Sequence, residues 1–305
     1  MNASFDPVRI AQPGLARPRQ LVRPEDLAAL LDQSPQALLI EVGNEQGAAF
    51  RHAHIAGAAY LDIGNLEADR FYNKVADNAL LQVLLSQGVR YDTTVILYGR
   101  SMLAAARAAH LMLYAGVADV RLLDGAFATW RLAGLPCADG TGRKPVPVPA
   151  FCAPFPGCPH FMVDMAQAAA RLAQPGAVLV SVRTWNEFSG VTSGYSYIHP
   201  RGEIPGARWG RAGREADVNS MSEYQLPNGR MRDPAEIAAM WRASGIHAGL
   251  DTAFYCGTGW RASLAFFQAW LMGWERIAVY DGGWYEWSAS PRNPIVCRVT
   301  ESLSA

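Results

Sequence analysis

TAFYCGTGWRASLAFFQAWLMGWERIAVYDG (252–282) repeats the outline of VILYGRSMLAAARAAHLMLYAGVADVRLLDG (95–125) without a gap. Tyr98 and Tyr255, Gly116 and Gly273, and Asp124 and Asp281 all stand 157 positions apart, and so do Trp130 and Trp287 just beyond the quoted stretches. Further upstream HIAGA (54–58) resembles EIPGA (203–207) and LLIEV (38–42) resembles VLVSV (178–182), but at a smaller offset. The second copy therefore carries an insertion, read as SGYSYIHPRG (193–202). Two copies of one unit is the simplest account of such self-similarity.

Each copy alternates short β-branched runs with helix-like stretches, which predicts a mostly parallel sheet covered by helices on both faces. The fold class expected is α/β, with two such domains. Asp233-Pro234 with Glu236 predicts a helix start. Leu264, Phe267, Trp270, Leu271 and Trp274 recur at helical spacing and predict an amphipathic helix after the cysteine of the quoted stretch. Between the copies lies CADGTGRKPVPVPAFCAPFPGCPH (137–160), with six prolines from 145 to 159. Proline fixes φ and removes a donor, so this reads as a semi-rigid surface linker. The expected division is an extension over 1–20, a first domain over 21–136, the linker over 137–160 and a second domain over 161–305.

Length agrees with this division, since 305 residues suit two domains of ~150 each. Half the residues are apolar, and the formal charge is zero with no basic run. That argues against a nucleic-acid partner. No run of ~18 apolar residues predicts a membrane span, and the N-terminal stretch lacks the apolar core of an export signal. The expectation is a cytoplasmic protein. Five cysteines without a CxxC pair argue against both a disulfide scaffold and a structural zinc site.

Cys256 follows the buried strand TAFY and precedes a helix, so it sits at a strand's carboxyl end, where open α/β sheets bind ligands. Gly257 and Gly259 let the backbone curl and aim successive amides at one point, an anion-binding nest. The helix N-terminus adds partial positive charge. Both effects favour thiolate over thiol, and the thiolate is the nucleophile. Four residues lie between Cys256 and Arg261. Phosphatase loops place five there to span a phosphoryl group, so this shorter ring suits a sulfur carried on Cys256.

The chain resembles the tandem-domain rhodaneses, a sulfurtransferase family. CGTGWR (256–261) is similar to the family's active loop C-x-x-G-x-R, VYDGGWYEW to its C-terminal signature, RGEIPGA (201–207) to its G-H-I-P-G-A element, and VLVSVRTWNEFSG (178–190) to its D-x-R-x-x-x-E-F-x-G element. Ser181 stands in place of the usual aspartate and Glu203 in place of the usual histidine. The resemblance implies double displacement. Cys256 takes the outer sulfur of a donor such as thiosulfate, holds it as a persulfide, and passes it to cyanide or a thiol, a sulfur-acceptor protein included. The loop residues Gly257, Thr258, Gly259, Trp260 and Arg261 would cradle the persulfide. No metal or organic cofactor is implied. Alternatives are a cysteine phosphatase or arsenate-reductase-like enzyme, and a persulfide-binding module without turnover.

The remaining candidates are weaker. Arg261 would either clamp an anionic donor or pair with a carboxylate. Arg183 is a possible substrate contact, against the plainer reading of an ion pair with Glu187 one turn on; Arg201 is a second possible contact. Asp281 is expected to brace its turn, and Trp284 and Trp287 to lie in the core. His52 and His54 form an H-x-H pair too small to hold a metal alone. Cys152 and Cys158 would be incidental, a redox pair, or sulfur acceptors. Gly99 stands where Cys256 stands in the second copy, so the first copy is expected to be non-catalytic and to wall the cleft, and Gly99→Ala is expected to have little effect on activity.

Overall fold

The β-branched runs become parallel strands and the two copies fold alike. The computed structural model describes residues 13–44, 47–68 and 70–298; the first residues of the expected extension and the last of the second domain lie outside it. The first copy comprises β1 (Leu21–Val22), α1 (Pro24–Gln33), β2 (Leu38–Gly43), α2 (Ala48–His52), β3 (His54–Ile55), β4 (Ala59–Asp62), α3 (Asp77–Ser86), β5 (Thr94–Gly99), α4 (Met102–Ala115), β6 (Asp119–Leu123), α5 (Phe127–Leu132) and β7 (Cys137–Ala138). The second comprises β8 (Met162–Val163), α6 (Met165–Ala173), β9 (Ala177–Ser181), α7 (Trp185–Ser189), β10 (Arg208–Trp209), α8 (Pro234–Ala243), β11 (Asp251–Tyr255), α9 (Trp260–Leu271), β12 (Ile277–Tyr280) and α10 (Gly283–Ala289).

The two five-stranded sheets run β1-β6-β5-β2-β4 and β8-β12-β11-β9-β10, the same order strand for strand, and every pairing within them is parallel. Each sheet keeps one face for its own core. Leu27, Phe50, Phe127 and Trp130 fill that of the first copy, and Ala168, Trp284 and Trp287 that of the second. The other faces share one larger core that runs through both copies and holds α4 and α9 back to back. Every residue of α4, and every residue of α9 from Arg261 to Leu271, is buried. The expected amphipathic pattern of α9 is thus overridden. A helix wedged between its own sheet and a facing helix has no solvent side, and an all-round apolar surface is what such a position demands. The helix starts at Trp260, four residues after Cys256. Asp233 caps α8 through the Ala235 amide with Pro234 at the first turn, as expected.

The proline-rich linker lies along the first copy, where Arg143, Val148 and Gly157 donate to the carbonyls of Ala58, Leu85 and Ala115. At the other end, the amides of Ala16 and Arg17 donate to the carbonyl of Leu271, closing the C-terminus of α9.

Reciprocal clasps join the copies. Asp281 accepts the Lys74 amide at 2.7 Å and Asp124 accepts the Met231 amide at 2.8 Å. Lys74 and Met231 are themselves 157 positions apart, so each copy's Asp-Gly aspartate grips the equivalent point of the other. The Asp281 side chain therefore braces the opposite copy, through the Lys74 amide and Arg107, rather than its own turn.

His110 on α4 is buried, with Nε2 2.9 Å from the Phe161 carbonyl, its ring against Phe266 and Arg107 one turn before it. Burial, then Arg107, push its pKa down to about 4. The unfolded chain therefore binds the proton first, and this residue's share of stability is lost as pH falls from about 6.5 towards 4. We expect the pH 7 to pH 5 change in unfolding free energy to be about 2 kcal/mol less unfavourable in His110→Leu than in the parent, by urea denaturation.

Candidate active site

Cys256 follows the last residue of β11, and the loop of residues 256–259 turns directly into α9. Gly259 has φ 95°, the left-handed conformation that favours glycine. Gly257 is needed for a different reason: a Cβ there would lie 2.4 Å from the Tyr195 ring. On the outer side, the loop carbonyls of Cys256 and Gly257 accept the Trp284 and Tyr285 amides of α10 at 2.7 and 3.1 Å. With the Cys256 and Gly257 carbonyls held outward, the loop turns one amide onto the sulfur. The Gly259 amide donates to Cys256 Sγ at 3.2 Å. The amides of Trp260 and Arg261 open the helix, where no intrahelical acceptor exists for them.

Cys256 is 1% exposed, but it lines a cavity of about 580 Å³ between the two copies. Thr258, Trp260 and Arg261 line it with Cys256; the first copy contributes Asp62, Glu67 and Tyr72, and the insertion contributes Tyr195 and Tyr197. The first copy does wall the cleft. Where it would need a cysteine it has Gly99, and this glycine is not free to change. A Cβ there would stand 2.7 Å from the carbonyl oxygens of Val42 and Ser101. Gly99→Ala, expected to have little effect on activity, requires the backbone to shift and so carries a stability cost.

Arg261 is settled by geometry. Its Nη1 and Nη2 donate to Glu187 Oε2 and Oε1, both at 2.8 Å, and Nη2 also reaches Tyr195 Oη at 3.0 Å. The bidentate carboxylate pair wins over a free anion clamp. Arg183 does not reach the cavity, which corrects its candidacy as a substrate contact. It is fully buried, 3.3 Å from both Glu187 and Glu203, with Nη1 on the Gly202 carbonyl at 2.8 Å. Burial favours protonation of Glu187, but Arg261 and then Arg183 outweigh it and hold the carboxyl at about 2. Arg201 is exposed and outside the cavity lining. The two departures from the family motifs meet each other: Ser181 Oγ donates to Glu203 Oε2 at 2.6 Å, and Tyr255 Oη donates to the same carboxylate.

Glu67, on the other wall, accepts from Trp260 Nε1 at 2.8 Å and from Arg107 Nε at 3.1 Å. Arg107 also meets Asp281 at 2.6 Å. Burial pushes the Glu67 carboxyl up to about 7, against the pull of Arg107 and the Trp260 N–H. The Trp260 indole is thus pinned to the other copy. Glu67, Asp62 and Tyr72 escape the sequence because they reach the cavity by inter-domain packing. Tyr195 and Tyr197 had a signal, the insertion itself.

Other candidates fall away from the cavity. His54 is buried and stacked on Phe50, while His52 is exposed. Cys152 and Cys158 lie free on the linker outside the cavity lining. Among the described residues no group of three His, Cys, Asp or Glu is placed to hold a metal, and no helix is long and apolar enough to cross a membrane.

Comparison with known proteins adds the lineage. The family model of the rhodanese-like domain matches residues 23–133 and again 164–290. The chain is 53% identical over 243 residues to the thiosulfate sulfurtransferase YnjE of Escherichia coli, covering 80% of this chain and 55% of that protein. The crystal structure of YnjE superposes with a TM-score of 0.91 over 97% of this chain and 72% of that one, at 46% identity. A thiosulfate sulfurtransferase of Corynebacterium glutamicum is 30% identical over 97% of this chain and 96% of its own. The anaerobic ergothioneine biosynthesis enzyme of Chlorobium limicola, solved with its natural substrate trimethyl histidine, superposes with a TM-score of 0.89 at 36% identity, over 94% of this chain and 72% of that one. With two matches to one family model and relatives named sulfurtransferases, the chain belongs to the rhodanese family and carries two rhodanese-like domains in tandem.

Proposed function

We propose that this protein moves a sulfane sulfur from a donor to a thiophilic acceptor through a persulfide on Cys256. The observation that carries the reading is the placement of Sγ: on the cavity wall between the domains, accepting the Gly259 amide, beside the unpaired amides of the first turn of α9. In the first step the Cys256 thiolate attacks the outer sulfur of the donor. A new S–S bond forms, the donor's own S–S bond breaks, and its electron pair leaves with the inner fragment, sulfite when thiosulfate is the donor. In the second step a nucleophilic acceptor attacks the outer sulfur, and the Cys256 thiolate is the leaving group. Covalent catalysis of this kind divides one transfer into two easier ones. The helix-terminal amides stabilise the negative charge of the persulfide without having to reorganise.

A phosphatase reading is disfavoured because Arg261, which would have to grasp phosphate, is held by both oxygens of Glu187. The first domain supplies no nucleophile, since Gly99 replaces the thiol. It supplies walls and charge, and only Cys256 turns over. Intact and peptide mass spectrometry after incubation with thiosulfate tests the reading. The expected result is a gain of one sulfur atom on the peptide containing Cys256, removed by cyanide. A gain on any other cysteine, with Cys256 unmodified, would overturn it.

A further inference from the structure

The loop that carries Cys256 is held from the far side of the cleft. Trp260, the first residue of α9, donates its indole Nε1–H to Glu67 Oε1 at 2.8 Å, across 193 positions of chain. Glu67 is buried, and Arg107 Nε donates to the same oxygen at 3.1 Å. Arg107 is fully buried in its turn, meeting Asp281 at 2.6 Å and the Tyr72 carbonyl at 3.1 Å. Its guanidinium packs on the loop as well, since a Cβ on Gly259 would stand 3.3 Å from Nη1. Two successive loop residues, Gly259 and Trp260, thus rest on side chains of the first domain. The amide of the first of them is the one that donates to Cys256 Sγ.

The tandem repeat supplies an internal control. Glu67 is bridged to Lys74, and in the second copy Gln225 is bridged to Met231 in the same way. Gln225 reaches the start of α4, with Nε2 3.2 Å from the Met102 sulfur, but it carries no charge. Leu103 stands 157 positions before Trp260, and Leu264 stands 157 after Arg107. The Asp-Gly clasps occur on both sides of the domain interface and serve the architecture. The Glu67–Trp260–Arg107 cluster stands on the side that has a thiol. On the side that has Gly99, leucines replace its indole and its guanidinium. Burying a carboxylate with a guanidinium costs desolvation that an apolar pair avoids, and the other half of the interface closes without them.

We propose that Glu67 is a positioning residue for the Cys256 loop: by fixing the Trp260 indole beside Arg107, it holds the turn 257–260 in the curl that places the Gly259 amide on the sulfur. The domain without a nucleophile thereby sets how well its neighbour's thiolate and persulfide are stabilised. A loop locked from outside keeps its amide aimed without reorganising. The consequence for turnover rests on the sulfur-transfer reading; the effect on the thiolate does not.

The test reads the pH midpoint of iodoacetamide alkylation at Cys256, mapped on its peptide, in the full chain. Arg261, held by Glu187, and Asp62, Tyr72, Tyr195 and Tyr197 line the cavity with the sulfur and are kept in every variant. Glu67→Ala should raise the midpoint by about one pH unit, an about tenfold loss of thiolate, because a slack loop withdraws its amide. A direct charge effect has the opposite sign, since removing a carboxylate from the wall favours the thiolate. Glu67→Gln keeps an oxygen for the indole and should hold the midpoint at or below the parent value. Trp260→Phe keeps the Glu67–Arg107 pair and removes the N–H donor. It should raise the midpoint as Glu67→Ala does, and the double variant should shift no further than the larger single change. Loading of Cys256 from saturating thiosulfate should slow about tenfold in both single variants, with the half-saturating concentration unchanged. A midpoint unmoved or lowered in Trp260→Phe that is folded by circular dichroism overturns the positioning role, whether or not Glu67→Ala folds. So do shifts that add in the double variant. The expected midpoints in a chain that takes up no sulfur would leave the positioning role standing and overturn sulfur transfer.

Discussion

Cys256→Ala is expected to reduce sulfur transfer from thiosulfate to cyanide by a factor on the order of 10⁴ or more, to the rate without protein, because the step removed is the covalent one. The fold should survive. Sγ is a single atom on the wall of an existing cavity, and its loss leaves the Gly259 amide without its acceptor. Together these are worth about 1–2 kcal/mol, against a core that runs through both domains. The first domain offers no rescue, since Gly99 is wedged between two carbonyl oxygens and carries no thiol. The measurement is thiocyanate formation, with far-ultraviolet circular dichroism to confirm folding. Thiocyanate made at the parent rate by folded Cys256→Ala protein would sink the assignment of the nucleophile, whatever the lineage.

What the sequence reveals about this site is what is local. The loop CGTGWR shows its strand, its turn and its helix because each depends on neighbours a few residues away. The 157-residue offset matches β5 and β6 with β11 and β12, the smaller offset upstream matches β2 with β9, and Lys74 and Met231 also stand 157 apart, although nothing local says that Asp281 and Asp124 reach across to them. The same spacing misleads for α9. Apolar residues at helical intervals imply one buried face, and only the facing α4 makes every face buried. Arg183 and Glu187 are adjacent turns and their pairing is legible; that Glu187 is also the bidentate partner of Arg261, 74 residues away, is not. Ser181 and Glu203 each look like an isolated departure from the family motifs, yet they are one hydrogen-bonded pair. The lining of the cleft was hidden for the same reason. It is assembled from a loop of one domain and an insertion in the other, and no periodicity connects them.

Glu187→Ala is the substitution expected to damage the fold most. Glu187 is fully buried and holds Arg261 with both oxygens, Arg183 at 3.3 Å and the Thr184 amide at 2.9 Å, closing the capping box of α7. Its removal leaves one guanidinium with no carboxylate and another with only Glu203 at 3.3 Å. Breaking a buried pair on one side typically costs 3–5 kcal/mol because the orphaned charge stays desolvated, and we expect roughly that loss in urea unfolding. The folded-state carboxyl sits at about 2, below its unfolded value near 4.5. Its contribution is therefore full above pH ~4.5 and drains as pH falls towards 2. The parent should lose stability through that acid window more steeply than the variant. Glu187→Leu with Arg261→Met separates charge from packing. Removing both partners leaves no orphan on that side, so the double variant should recover much of what Glu187→Ala loses. If the single change costs less than about 1 kcal/mol, typical of an exposed pair, then Arg261 has another anion in solution. The clamp described above would then be a free anion site after all.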